Sequence, residues 1–135
     1  MSAKSVIAID FGAESGRVMQ VAHNGKTLEL DELHRFPNNP VTVSGTLYWD
    51  ALRLFHEISA GIKAAPAGVA SMGIDAWGVD FALLDRDGRL LSNPVHYRDK
   101  SSDGMMEWAF ERMPRREIYE RTGLQFLLPN SCGDC

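Results

Sequence analysis

With 135 residues the chain has room for one domain at most, and with 44% hydrophobic residues it can bury a core. A net charge of −4 with 24% charged residues is that of an ordinary soluble globular protein, and it argues against a phosphate-backbone binder such as a DNA-binding domain. No stretch reaches the roughly 20 apolar residues of a membrane span. The opening MSAKSVIAIDFG has one lysine and a short apolar run broken by Asp10, which is no signal peptide, so a cytoplasmic protein is expected.

Val6 to Ile9 is a continuous apolar, β-branched-rich run, the pattern of a strand buried on both faces. Arg17 to Ala22 follows as a second strand, joined to the first by an Asp10–Gly16 loop. His23-Asn24-Gly25-Lys26 then signals a hairpin with a two-residue type I′ turn, which needs positive φ at both central residues. Leu28, Leu30 and Leu33, set among Glu29, Asp31 and Glu32, predict a third strand with a solvated face. Phe36 to Gly45 reads as a loop. Asp50 is a good N-cap for a helix in which Ala51, Leu54, Phe55, Ile58 and Ile62 recur at helical spacing, ended by Pro66 and Gly68.

Val69 to Ile74 predicts the next strand, with Ala76-Trp77-Gly78 as a turn and Val79 to Leu84 as a further strand. Arg86-Asp87-Gly88 is a hairpin turn before an extended Arg89–Tyr97. Two helices are expected at about 103–113 and 114–122, with Pro114 at a first helical position and Gly123 just past the end. Met105, Met106, Trp108 and Phe110 read as helix core rather than a cofactor box, and Arg112, Arg115 and Arg116 as a solvated face. The closing Cys132-Gly-Asp-Cys135 has neither a helix behind it nor two further ligands for a metal, since His23, His34, His56 and His96 are scattered singly. It reads as an irregular tail. The order βββ, α, β predicts an α/β domain whose mixed sheet opens with three antiparallel strands flanked by helices, unlike a Rossmann unit, where strands and helices alternate from the start.

The stretch IDFGAESGRV places an acid at a strand end and then brackets a short polar turn with Gly12 and Gly16. It is not a P-loop, since no G-x-x-x-x-G-K-[ST] is present, nor a G-x-G-x-x-G turn. Ser15 lacks the G-x-S-x-G spacing of a hydrolase nucleophile. Such a turn can aim several backbone N–H groups and a hydroxyl at one anion, with Asp10 beside it as a ligand for Mg²⁺. A plain hairpin whose glycines serve backbone geometry is the other reading of the same residues. In SMGIDAWGVDFALLD (Ser71 to Asp85), Asp75 and Asp80 interrupt apolar runs. Each buried carboxylate must find a polar partner or line a cleft. Trp77-Gly78 between them offers a flat wall and an open backbone suited to a sugar, or else a core tryptophan beside a turn.

These blocks, AIDFGAESGRV, LYWD, SMGIDAWGVDFALLD, PVHYRD and IYERTGLQFLLP, in this order, resemble the rhamnulokinase group of the FGGY carbohydrate kinases, within the actin-like ATPase superfamily. The resemblance implies a ribonuclease H-like, actin-like ATPase fold. Residues 1–129 would be the N-terminal part of the family's first domain and 130–135 an atypical tail. It further implies that Asp10, Gly12, Ala13, Glu14, Ser15, Gly16 and Arg17 form the first phosphate motif, with Ala13 to Arg17 contacting ATP and Asp10 near Mg²⁺. Gly78 matches a sugar-contacting position, Trp77 is its neighbour in the cleft wall, and Tyr97 lies where related kinases set an aromatic against the sugar. The implied reaction moves the γ-phosphoryl group of ATP to the 1-hydroxyl of L-rhamnulose. The implied partners are a small-molecule sugar and the remainder of the kinase, with no nucleic acid and no membrane.

Family members are several times longer, and their catalytic base, second phosphate loop and adenosine-binding residues lie downstream of what 135 residues hold. No catalytic residue is therefore expected in this chain, and the isolated chain is expected to be nearly inactive. Kinases for another ketose, such as L-fuculose or xylulose, and a non-catalytic binding module are the alternatives.

Overall fold

The computed structural model describes residues 4–126. Strands β1 (Lys4–Phe11), β2 (Ser15–His23) and β3 (Leu28–Pro37) form an antiparallel meander. A short hairpin, β4 (Val41–Val43) and β5 (Thr46–Tyr48), leads into helix α1 (Ala51–Lys63). The chain then returns to the first sheet as β6 (Met72–Asp75), which lies parallel to β1, so the strand order is β3-β2-β1-β6. A 3₁₀ turn at Lys100–Ser102 and two short helices, α2 (Met105–Phe110) and α3 (Arg115–Thr122), follow. The expected opening with three antiparallel strands, the helix after Asp50 and the mixed sheet are all present. No helix among the described residues is long and apolar enough to cross a membrane.

The core lies between one face of the sheet and α1. Ile7, Ile9, Val18 and Phe36 are buried there, with Leu54, Ile58 and Ile62 of α1 packed on them. Gly61 lets the helix approach the sheet closely, because a Cβ on it would sit 2.5 Å from Val18 Cγ2. Asp50 caps α1 by accepting the Arg53 N–H at 3.1 Å. Phe55, read as part of the apolar face, is instead 68% exposed. Val6 and Ala8 are only half-buried. Beside them β1 and β6 line an open groove, so β1 is not covered on both faces among the described residues.

Several local expectations are corrected. The Asn24-Gly25 connection is not a two-residue turn. His23 pairs with Leu28, Asn24 lacks positive φ, and the Asn24 carboxamide oxygen accepts the N–H groups of Lys26 and Thr27 at 3.0 Å each, closing a longer loop on its side chain. The two-residue turn lies instead at Ser44-Gly45, both with positive φ, inside the stretch read as a loop. Phe36, placed in that same loop, is buried within β3, where the bare Cα of Gly16 receives its ring.

Val79–Leu84 is not a strand, because its one ladder partner is the Leu84–Leu90 bridge around the Asp87-Gly88 turn. Pro114 stands one position earlier than expected, at the N-cap of α3, while Gly123 does follow the helix end. Met105 and Trp108 are about half-exposed rather than core, and Arg112 lies 3.7 Å from the Trp108 ring centroid. Arg116 pairs with Glu120 on an exposed face, as the solvated-face reading requires. Cys132, Cys135 and the 130–135 tail lie outside the described residues.

Candidate functional site

The parallel strands β1 and β6 end side by side. Their register sets Asp10 opposite Asp75, and the antiparallel register of β1 and β2 sets Asp10 opposite Arg17. Paired residues share a sheet face, so Arg17, Asp10 and Asp75 form a charged row across three strands. Arg17 Nη2 donates to Asp10 Oδ2 at 2.5 Å with both side chains about two-fifths exposed. Asp75, expected to be buried, is exposed on β6.

The connection after Asp10 is shorter than the Asp10–Gly16 loop of the sequence reading. β1 continues through Phe11 and β2 starts at Ser15, leaving Gly12, Ala13 and Glu14. Gly12 N–H donates to Ser15 O at 3.0 Å and closes the turn. Neither Gly12 nor Gly16 has positive φ. Gly16 is needed for packing, since a Cβ there would lie 2.3 Å from the Phe36 ring.

Ala13 and Glu14 project into solvent. Asn38, which follows β3, braces the turn from behind: its N–H donates to Glu14 O at 2.9 Å and its Nδ2 to Gly12 O at 2.7 Å. Among the described residues no three His, Cys, Asp or Glu side chains gather as a metal cage. Mg²⁺ keeps waters and takes one or two carboxylates plus substrate phosphates. The Asp10–Asp75 pair beside an exposed turn fits that donor set.

Beyond β6 the chain enters an aromatic stack. Trp49, 2% exposed, stacks on Trp77 with ring centroids 3.8 Å apart and packs tilted against His96 at 4.0 Å, and His96 stacks on Tyr97 at 4.5 Å. Trp77 also packs against Phe11 at 5.6 Å. Asp80 finds the polar partner its half-burial requires: Trp49 Nε1 donates to its Oδ2 at 2.8 Å. A cavity of about 590 Å³ opens beside this stack, lined by Asp80, Phe81, His96, Tyr97 and Ser101 among others. Trp77 itself packs into the stack and does not line the cavity. Tyr97 does line it, and Gly78 lies exposed just before the first lining residue, Val79.

Burial lowers the His96 pKa, assisted by Arg98 and opposed by the charges of Asp80 and Asp99. Its Nδ1 accepts the Arg98 N–H at 3.0 Å, so the neutral ring carries its proton on Nε2. Asp99 is held below the ordinary carboxylate range, first by the Leu47 N–H at 2.7 Å and then by the Ser101 N–H at 2.9 Å.

Of the residues expected to hold phosphate, Asp10 and Arg17 are in contact while Ala13 and Glu14 stand exposed in the turn between them, and Gly78 and Tyr97 lie by the cavity. Sequence reading missed the roles of Asn38, Trp49 and His96. In Pro37-Asn38-Asn39-Pro40 nothing distinguishes the buried Asn38 from its neighbour. LYWD offered Trp49 only as a helix preface.

Compared with solved structures, the chain matches gluconate kinase from Lactobacillus acidophilus with a TM-score of 0.71 at 20% identity, covering 91% of this chain and 25% of that one. It matches xylulose kinase from the same organism with a TM-score of 0.67 at 19% identity, covering 87% and 24%. The chain therefore shares the fold of the matching part of these two sugar kinases. In sequence the chain is similar to proteins named rhamnulokinase. It is 42% identical to that of Bacteroides thetaiotaomicron over 131 residues, covering 95% of this chain and 27% of the relative. To that of Oceanobacillus iheyensis it is 44% identical over 124 residues, covering 89% and 26%. The chain thus spans about a quarter of the length of the curated relatives it matches. No protein-family profile matches it.

Proposed function

We propose that the chain is part of a carbohydrate kinase and forms one jaw of its ATP site, in an enzyme that phosphorylates the 1-hydroxyl of L-rhamnulose. The observation that carries this reading is that the parallel strands β1 and β6 end together at one site. β1 runs into the exposed turn behind Asp10, and β6 runs toward Gly78 and the aromatic-walled cavity. Ligands of α/β sheets gather at the carboxyl ends of parallel strands.

In this reading the turn Ala13 to Gly16 offers backbone N–H groups and the Ser15 hydroxyl to a phosphate chain, and Arg17 adds a positive charge. Asp10, with Asp75 in register, would hold Mg²⁺, which when bound neutralises phosphate charge. Asp80 and Tyr97 face the cavity as a hydroxyl acceptor and an aromatic wall for the sugar. The group that takes the proton from the sugar hydroxyl is contributed by the rest of the enzyme. Phosphoryl transfer needs chiefly positioning and charge neutralisation, which one jaw cannot complete.

In a full-length kinase carrying this segment, Asp10→Ala is expected to lower kcat by roughly 10²-fold or more. ATP- and rhamnulose-dependent ADP release measures it, and wild-type turnover would remove Asp10 from the metal site. The 135-residue chain alone should release ADP at background. A panel of L-rhamnulose, L-fuculose and xylulose on the full-length enzyme decides the ketose.

A further inference from the structure

Asn38 is 2% exposed and stands directly behind the turn Gly12-Ala13-Glu14. With two hydrogen bonds it takes the carbonyl at each end of that turn: its Nδ2 reaches Gly12 O at 2.7 Å and its N–H reaches Glu14 O at 2.9 Å. Its own Oδ1 is buried with no hydrogen-bond partner. The amide cannot be turned over to satisfy that oxygen, because the turned carboxamide would face the Gly12 carbonyl with a second acceptor. An orphaned buried acceptor is unfavourable, and a small apolar residue would not carry it.

The gain lies on the other side of the turn. The chain has no cis peptide bond among its described residues, and in a trans peptide the N–H points opposite to the C=O. The Gly12 carbonyl shares its peptide plane with the Ala13 N–H, and the Glu14 carbonyl with the Ser15 N–H. Pulling both carbonyls toward Asn38 turns both N–H groups away from it. We infer that Asn38 is the positioning residue of this site: it aims the Ala13 and Ser15 N–H groups at a phosphoryl oxygen. This rests on the nucleotide reading above and names the residue that prepares the turn for it.

The test uses the ¹⁵N-labelled chain titrated with Mg·ATP and, separately, with inorganic tripolyphosphate. In the wild type the Ala13 and Ser15 amide signals are expected to shift with either probe. In Asn38→Ala and in Asn38→Asp, which keeps the shape but lacks the donor, the apparent affinity should fall at least tenfold. The amides of Ile7, Ile9 and Val18 should remain in place. A folded variant that binds as tightly as wild type overturns the inference.

Should neither variant fold, the wild type still decides. A through-hydrogen-bond coupling from Asn38 Nδ2 to the Gly12 carbonyl carbon is expected, and its absence overturns the clamp. If the wild type shifts with neither probe, the nucleotide reading is what fails. The ordering of the Ala13 and Ser15 amides, compared between wild type and Asn38→Ala by heteronuclear NOE, then tests the clamp on its own: loss of order supports it, and unchanged order overturns it.

Discussion

At the scale of single residues, the turn between β1 and β2 depends on side chains that are absent as much as on those present. Gly16 was legible as a turn glycine, yet its φ is ordinary and its bare Cα makes room for Phe36. Gly16→Ala should therefore destabilise the chain by about 1–3 kcal/mol through overpacking. The urea midpoint would fall, and Phe36→Leu in the same chain should recover part of the loss.

Asp99 and His96 contribute acid sensitivity. Asp99 has its folded pKa lowered, so its contribution is complete above the ordinary carboxylate range of about 4 and is lost as pH falls through the lowered folded value. The stability gap between wild type and Asp99→Asn should close in that window, and a gap independent of pH would contradict the assignment. His96 also has a lowered folded pKa, so its cost begins earlier, as pH falls below the ordinary imidazole value of about 6.5, where the unfolded state gains a proton first. Its ring signals should titrate below that value.

At the scale of elements, legibility followed how local the signal was. Helix α1 could be read closely because its cap, its apolar spacing and its terminators lie within twenty residues. Asp50→Ala should lower stability by about 1 kcal/mol, read as a drop in melting temperature with the native fold retained. The segment Val79–Leu84 has the composition of a strand but forms none, because a strand exists only where a neighbour offers its ladder, and here only Leu90 does. The Ser44-Gly45 hairpin was hidden for a related reason. Prolines and asparagines just before it gave the whole stretch the look of a loop, and only the pairing of Val43 with Thr46 reveals the strands.

At the scale of the whole molecule, the described residues leave apolar surface uncovered. Val79, Phe81, Leu83, Leu84 and Leu91 are each more than half exposed, as are Met72 and Ile74 on the edge strand β6. Patches of this kind mark contact surfaces or association liabilities, and an uncovered edge strand adds to them. The isolated chain should bind a hydrophobic dye such as ANS and self-associate with concentration in light scattering. A monodisperse, dye-free monomer at high concentration would show that this surface is closed in solution.

The three opening strands, the helix after Asp50 and the place of the turn between β1 and β2 were determined by the sequence alone, because strand periodicity, the cap at Asp50 and turn residues are properties of neighbouring residues. The tertiary structure alone decided what those residues face. Asp10 meets Arg17 and Asp75 only through strand register, Trp77 is drawn into a stack by Trp49, and Asn38 reaches across 26 positions to Gly12. Contacts of that range depend on how strands pair and how side chains fill the space between them, and no local pattern encodes either.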